Sequence, residues 1–193
     1  KPVTRKFKDT TKRLRRERRG KLGHRPSVDW ANDMYRVSEP FGDTADYVGT
    51  DALVSLLEKS RMGIALLEGA QRPKIIFDPQ TLFAQYYPDA HVITLQPHKS
   101  KAELTHLFVR ELRRAWHKTQ GTLVNPLGFE PDGAILISRA QAADAFMMAV
   151  RVSWDLKLAD EPEAWDYLIK SPMADVGRIF ETHAQTDFRT LNN

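Results

Sequence analysis

Hydrophobic residues are arranged along the chain in two ways, with helical spacing in some segments and as short continuous runs in others. In residues 50–69, 100–121 and 138–160 they are spaced as on one face of a helix, and residues 161–185 predict further helical turns hinged at Pro172. Two short apolar segments, KIIFDP and HVITLQP, lie between the first two helices on either side of TLFAQYYPDA and predict a sheet of two or three strands. Because strands and helices do not alternate, the pattern predicts an α+β fold, with a small antiparallel sheet packed on a core of several helices.

Turn and capping residues set the expected ends of these helices. Thr50 is the expected N-cap of the first helix, and Gly63 is a candidate bend within it. Ser100 begins the capping box S-K-A-E, and Gly121 is the expected stop of that helix. A second box, S-R-A-Q, begins at Ser138 and predicts the start of a long, almost wholly apolar helix that is central to the core.

The helix LTHLFVRELRRAWHK, residues 104–118, has two sharply different sides. On a helical wheel its apolar side comprises Leu104, Leu107, Phe108, Leu112 and Ala115, widened by Val109 and Trp116. Its basic side comprises His106, Arg110, Arg113 and His117. The pattern predicts a solvated basic face or, alternatively, a surface that extends an anion-binding region.

Glu111 belongs to neither side of this helix. It lies at the edge of the apolar face, where an unpaired carboxylate is costly to bury. Arg114, three residues further along, borders the same face and is its natural partner. The sequence therefore predicts an ion pair between Glu111 and Arg114.

Charge is distributed unevenly between the start of the chain and the rest. Residues 1–25 contain twelve Lys and Arg and two acidic residues, whereas residues 26–193 carry 17 basic and 23 acidic side chains. We therefore predict a flexible basic arm, residues 1–25, followed by a folded domain, residues 26–193. Such an arm binds anionic surfaces (RNA, DNA or an acidic protein), unless it is merely a solubilising tail. The expected contact residues are Arg5, Lys6, Lys8, Lys12, Arg13, Arg15, Arg16, Arg18, Arg19, Lys21 and Arg25.

The composition narrows the classes of protein that the chain can represent. It is 41% hydrophobic and 28% charged, as in ordinary globular domains. The absence of cysteine excludes a thiol nucleophile, a thiolate metal site and a disulfide framework, and it predicts a cytoplasmic location. Neither a membrane-spanning segment nor a secretory signal is expected. No Gly-rich phosphate loop or nucleophile elbow occurs.

The order of these segments resembles a family of metallopeptidase-like proteins of unknown function from alphaproteobacteria. The motifs that carry the resemblance are ITLQP, ELTHLFVRELRRAWHK, SRAQAADAFMMAVRVSWDLKLAD and a later tryptophan, Trp165. Members have a zincin-type H-E-x-x-H sequence in the second motif and E-A-D-A in the third. The resemblance covers residues 50–170, does not include the basic arm, and implies a zincin-like fold.

The resemblance also implies a zinc site, but the corresponding residues of this chain are different. The two helix histidines of the family map onto Arg110 and Arg114, and the glutamate of E-A-D-A, the implied third ligand, maps onto Ala142. Glu111, the implied general base, is retained, as is Asp144. Arginine stays protonated and has no lone pair to donate to a metal. We therefore expect no metal and no cofactor, a vestigial Glu111, and arginine charge in place of the metal's charge.

Three hypotheses of function follow from these considerations. The first is a metallopeptidase-like domain without catalytic activity, which acts as a binding or structural subunit of a larger assembly and is tethered by its basic arm. The second is a nucleic-acid-binding protein that acts mainly through that arm. The third is an active metallopeptidase with atypical ligands. The sequence leaves the partner and the oligomeric state open.

The remaining polar candidates have simpler expected roles. His106 and His117 are eleven residues apart on one helix, too far apart to share a metal, and we expect them at the surface. Asp144 and Asp155 flank Arg151 on the long helix and predict a ladder of ion pairs. An unrelated metal site would require three other histidines to meet in space: His91, His98 and His183.

Overall fold

The computed structural model describes residues 49–186 of the chain. The predicted basic arm and the predicted domain boundary after residue 25 lie outside the described residues. Within them the fold is α+β, as predicted. Six helices are described: α1 (Thr50–Leu57), α2 (Arg61–Gly69), α3 (Lys101–Thr119), α4 (Pro131–Leu158), α5 (Glu163–Lys170) and α6 (Ala174–Thr186). The strands are β1 (Lys74–Phe77), β2 (Ala84–Tyr87) and β3 (Val92–Leu95), and a 3-10 turn (Pro126–Gly128) precedes α4.

The first predicted helix is two helices, because residues 58–60 separate α1 from α2. The bend expected at Gly63 is therefore placed too late. Ser60 starts α2 as its N-cap, and its Oγ accepts a hydrogen bond from the Gly63 N–H at 3.0 Å. Gly63 is still needed for close packing, since a Cβ at this position would overlap the carbonyl group of Leu57.

The predicted ends of α3 are confirmed. Ser100 is its N-cap, and its Oγ accepts a hydrogen bond from the Glu103 N–H at 3.2 Å. Gly121 follows the helix with a φ of 69°, in the left-handed region that glycine tolerates. Thr50, in contrast, is the first helical residue of α1 and not its N-cap, a position that Gly49 occupies.

The predicted start of α4 at Ser138 is wrong. The helix begins seven residues earlier, at Pro131, where a missing N–H costs nothing because the first helical N–H groups have no partner in the helix. The Ser138 hydroxyl lies inside the helix and donates to the carbonyl of Ala134 at 2.8 Å. The S-R-A-Q sequence therefore forms no capping box, although its spacing fits one.

Only the C-terminal half of α4 is part of the core, where the whole helix was expected. Its buried apolar residues are Ala145, Phe146, Ala149, Val150, Val152, Trp154 and Leu156, whereas Ile135 and Leu136 near its start are exposed. By length and composition α4 is also apolar enough to cross a membrane. The expectation that the chain has no membrane-spanning segment therefore stays a prediction.

The sheet is mixed, so the wholly antiparallel sheet expected from the sequence is wrong. β3 lies in the centre, antiparallel to β2 with Tyr86 opposite Ile93, and parallel to β1 with Ile75 opposite Ile93. Each strand reverses the direction of the one before it in the chain. Because β3 inserts between β1 and β2, it lies next to β1, which runs the same way.

α3 is the central helix of the described fold, and every residue from 104 to 112 is buried. Its apolar side packs with α1, α2 and the sheet around buried residues such as Phe108, Leu112 and Ile93. Its basic side, predicted to be solvated or to bind anions, contacts α4 and α5 instead. The charged groups of α3 therefore need partners inside the protein.

We predict that Gly63→Ala destabilises the fold by about 1–3 kcal/mol, the usual range for overpacking, because the added methyl group meets the backbone of α1. Gly133→Ala is a matched control, since both glycines are the third residue of a helix. A Cβ at Gly133 would lie 3.5 Å from the Cβ of Phe129, an ordinary contact, so this change should stabilise the helix by up to about 1 kcal/mol. Urea unfolding measures both, and equal effects would contradict the close packing at Gly63.

Candidate functional site

The carboxylate of Glu111 lies inside the fold, where the residue is only 3% exposed. Its Oε1 and Oε2 accept hydrogen bonds from Nη1 of Arg114 at 2.9 and 3.0 Å, which confirms the predicted pair. Oε2 also accepts from the backbone N–H of Tyr86 in β2 at 3.0 Å. A guanidinium and a main-chain amide thus offset the burial of this charge.

The bond from Tyr86 connects α3 to the outer edge of the sheet. The carbonyl of Phe83 accepts from the Gln96 N–H at 2.9 Å, and the carbonyl of Gln85 accepts from the Thr94 hydroxyl, so these residues point their polar groups toward β3. In a strand, alternate residues direct their hydrogen-bonding groups to opposite sides. The Tyr86 N–H therefore faces away from β3, and Glu111 supplies the acceptor that an edge strand otherwise lacks.

His106 lies in the interior, so its predicted surface location is wrong. The residue is 1% exposed, and its Nε2 lies 2.8 Å from the carbonyl oxygen of Ala164 and 3.2 Å from Oγ of Ser153. The Ser153 hydroxyl already donates to the carbonyl of Ala149 at 2.7 Å. Nε2 therefore carries the ring proton and donates to both oxygens.

The surroundings of His106 keep its ring neutral. Burial is the main cause that lowers the pKa of His106 to about 4, and the nearby charge of Arg110 lowers it further, against the opposing effect of the Ala164 hydrogen bond. Nδ1 is buried without a hydrogen-bond partner among the described residues, as suits an unprotonated ring nitrogen. A proton added there would place a second positive charge beside Arg110.

A second polar cluster joins α3 to α4 around Asp144. Nε and Nη2 of Arg113 donate to Oδ2 and Oδ1 of Asp144 at 2.8 and 3.0 Å, and Nε2 of His117 lies 2.7 Å from Oδ2. Nδ1 of His117 lies 2.8 Å from the hydroxyl of Thr122. The Arg113 hydrogen bond is the main reason that the pKa of Asp144 is lowered, although partial desolvation opposes it.

The predicted ladder of ion pairs on α4 is therefore only partly present. Arg151 pairs with Asp155 at 3.3 Å, as expected, but Asp144 belongs to the cluster on α3 instead. The sequence missed this cluster because Asp144 and Arg113 are 31 residues apart and lie on different helices. The sequence pattern offered Asp144 a partner on its own helix, Arg151, and placed Arg113 on a basic face without a carboxylate partner.

His91, His98 and His183 do not come together as a metal site in the part of the chain that the structure describes. Nδ1 of His91, in the turn between β2 and β3, lies 3.0 Å from the hydroxyl of Tyr86. His98 precedes α3, and His183 lies on α6. Within residues 49–186, no three His, Asp or Glu side chains lie close enough together to hold a metal ion.

The chain matches the Putative metallopeptidase family (DUF6782) over residues 32–192. The chain belongs to this family. The matched region of this DUF6782 domain contains all six described helices, including the α3 helix of Glu111. No curated protein and no solved structure matches the chain.

At the positions that the resemblance assigns to zinc ligands, the side chains of this DUF6782 domain do not fit the metal that a metallopeptidase implies. Zinc is bound by neutral imidazole, carboxylate or thiolate, and none of the positions that the resemblance assigns to its ligands offers one. Arg110 and Arg114 lie one helical turn apart on α3 and carry fixed positive charges, which repel a cation. Ala142, half-buried on α4, contributes only a methyl group.

We predict that Arg114→Ala lowers the free energy of unfolding by about 1–2 kcal/mol, because it leaves the buried Glu111 carboxylate with only the Tyr86 amide. This is less than the loss of about 3–5 kcal/mol typical of a fully buried pair, since the Arg114 side chain is 35% exposed. Arg72→Ala, which breaks an exposed pair with Glu58, is the control and should cost less than about 1 kcal/mol. Equal losses would show that the Glu111 pair is not structural.

We predict that His106 makes the domain less stable in acid. Its pKa is near 6.5 when unfolded and about 4 when folded, so the unfolded state takes up the proton first. The free energy of unfolding that depends on the neutral His106 ring is fully present above pH 6.5. It falls by about 3 kcal/mol as the pH drops to 4. A His106→Gln variant, which keeps a donor for Ala164, should show a correspondingly flatter change in unfolding free energy between pH 7 and 4. An unchanged slope would contradict a neutral, buried ring.

Proposed function

We propose that this DUF6782 domain does not hydrolyse peptides, and that it acts as a binding or structural subunit tethered to an anionic partner by residues 1–25. The observation that supports this most directly is the state of Glu111, the residue that the resemblance makes the general base. Its carboxylate is buried and bonded to Arg114 and to the Tyr86 N–H. A general base must instead reach the water or substrate proton that it removes.

The arginines of α3 support the same proposal electrostatically. In a zinc peptidase, the metal's positive charge balances nearby carboxylates, activates water and polarises the substrate carbonyl. The Arg114 guanidinium supplies positive charge beside Glu111, but it has no open coordination position at which a water could ionise. Arg114 therefore balances the charge of the Glu111 carboxylate, as a metal ion would, but it cannot activate a water for hydrolysis.

The basic arm supports the tethering part of the proposal. Its twelve Lys and Arg in 25 residues are far denser than in the rest of the chain, where acidic residues are in excess. Such a segment binds polyanions by releasing condensed counterions, without the need for a folded site. Phosphate backbones and acidic protein surfaces both provide the dense negative charge that such a segment binds. Since contacts to phosphates carry no information on base sequence, we do not expect the arm to recognise a specific sequence.

Zinc titration of the purified full chain tests the non-catalytic assignment. We expect no stoichiometric binding in isothermal titration calorimetry, for the unmodified chain and equally for Arg114→His, because one imidazole does not make a site of three or four ligands. Tight binding of one zinc ion per unmodified chain would contradict the proposal and favour an active metallopeptidase with atypical ligands.

Fluorescence anisotropy tests whether residues 1–25 act as a tether. The three labelled probes are duplex DNA, single-stranded RNA and polyglutamate. We expect deletion of residues 1–25 to abolish binding, and we expect binding by the full chain to weaken at least tenfold between 50 and 200 mM salt. A second variant keeps the chain length but removes charge, and it should also lose binding. It changes five arginines of the arm to glutamine: Arg13, Arg15, Arg16, Arg18 and Arg19.

The three probes also separate the first two hypotheses. Binding of polyglutamate together with the nucleic acids indicates a general anion-binding tether. Binding of DNA or RNA alone favours a nucleic-acid-binding protein that acts through its arm. Binding that persists after deletion of residues 1–25 would contradict both.

A further inference from the structure

The loop after α3 places a hydroxyl group against the ring of His117. Gly121 reverses the chain with a φ of 69°, and the N–H groups of Thr122 and Leu123 both donate to the carbonyl of His117, at 2.8 and 3.1 Å. On a continuing helix, residues five apart lie on different faces. The reversal instead brings Oγ1 of Thr122, an exposed residue, to 2.8 Å from Nδ1 of His117.

Asp144 decides which ring nitrogen of His117 carries the proton. Nε2 of His117 lies 2.7 Å from Oδ2 of Asp144, and a carboxylate can only accept a hydrogen bond. The hydrogen bond from Arg113 lowers the pKa of Asp144 and keeps it ionised. Nε2 therefore carries the proton of the neutral ring, and the lone pair of Nδ1 accepts from the hydroxyl of Thr122.

Arg113 holds the Asp144 carboxylate in position for this contact. Its Nε and Nη2 donate to Oδ2 and Oδ1 at 2.8 and 3.0 Å, a two-point contact that prevents the carboxylate from rotating. The guanidinium also balances much of the carboxylate's charge. Asp144 therefore acts on His117 mainly by fixing its tautomer and the orientation of its ring.

Other hydroxyl groups of the described residues have no such base. The buried Ser153 lies beside His106, but the ring nitrogen that it contacts already carries a proton. Thr182 and Thr186, which are exposed on α6, donate to main-chain carbonyl groups, which do not take up a proton. Thr122 differs from them because it is exposed and donates to an unprotonated imidazole nitrogen.

We propose that Thr122 is a nucleophile for acyl transfer, with His117 as its general base and Asp144 as the residue that positions the base. A hydroxyl, a base and a group that orients the base are the arrangement that activates such nucleophiles. Oγ1 of Thr122 attacks the acyl carbonyl carbon, and its proton passes to Nδ1 of His117. The bond to the leaving group then breaks, and the leaving group takes this proton. The products are an ester on Thr122 and a free alcohol or thiol.

The position of Thr122 favours small, activated acyl donors, such as phenyl esters and thioesters. The residue lies on an exposed loop, so a donor reaches it directly from solvent. These donors carry a good leaving group, whereas an amine leaves from a peptide bond only after it has been protonated. The proposed step is therefore distinct from peptide hydrolysis, and it takes place at a different site from Glu111.

Peptide mass spectrometry of the full chain after incubation with p-nitrophenyl acetate tests this site. We expect an acetyl group on Thr122 that hydroxylamine removes, because hydroxylamine cleaves esters and leaves the amides formed on lysine intact. Thr182 and Thr186 are internal controls, and they should be acetylated at least about tenfold less because they have no base. Equal acetylation of the three residues, or no ester on Thr122, would contradict the proposal.

Two histidine variants test the base. His117→Gln cannot take up the proton and should lower the rate of Thr122 acetylation at least about tenfold. His183→Gln, a change at an exposed histidine of α6, should leave the rate unchanged. Thr122→Ser should be acetylated at residue 122 at least as fast as the parent, because a primary hydroxyl is less hindered. Circular dichroism checks the fold of each variant. Equal rates in the two histidine variants, or an unlabelled Thr122→Ser, would show that His117 does not activate this hydroxyl.

Nitrogen-15 NMR of the imidazole rings tests the positioning role of Asp144. In the unmodified chain we expect the proton of His117 on Nε2. In Asp144→Asn, the amide oxygen keeps the contact with Arg113 and the amide nitrogen faces His117, so the proton should move to Nδ1 and acetylation of Thr122 should be lost. Loss of acetylation with the proton still on Nε2 would contradict this role, since the effect would then be structural.

Discussion

The buried carboxylate of Glu111 is the constraint on which the rest of the structure depends. It lies on the central helix, with a guanidinium on one side and the amide of an edge strand on the other. A charge in this place must be balanced, because the protein interior stabilises an isolated ion poorly. Arg114 supplies the balance from the next turn of the same helix, so the pair depends on two residues that are close together in the chain.

Because residues 104–112 of α3 are buried and Arg113 and His117 are half-buried, its other polar residues have structural roles. Arg113 and His117 hold Asp144 and thereby fix the pairing of α3 with α4. His106 connects α3 to the first turn of α5 through the carbonyl of Ala164. The polar side of α3 therefore acts as a set of specific connections between helices. Such connections are sensitive to protonation, as the lowered pKa of His106 illustrates.

Local sequence patterns predicted the helices and strands well, but they predicted poorly which of these elements pack against each other. The α+β class, both ends of α3 and the Glu111–Arg114 pair depend on residues close together in the chain, and all were predictable. The parallel pairing of β1 with β3 depends on which strand lies in the centre of the sheet, which hydrophobic periodicity does not reveal. Burial of His106 depends on α4 and α5, and a basic stripe looks the same whether it faces water or another helix. Nothing in the sequence indicated that the Tyr86 N–H would donate to Glu111, because every residue except proline has a backbone N–H.

A double-mutant cycle tests most directly whether the Glu111–Arg114 pair is a structural unit. It requires the unfolding free energies of the unmodified chain, Glu111→Gln, Arg114→Ala and the double variant. If the arginine is there to balance the buried carboxylate, the loss caused by Arg114→Ala should shrink by at least about 1 kcal/mol once Glu111 is neutral. Losses that add to within about 0.3 kcal/mol would contradict this, and would leave Glu111 as a carboxylate whose retention the fold does not explain.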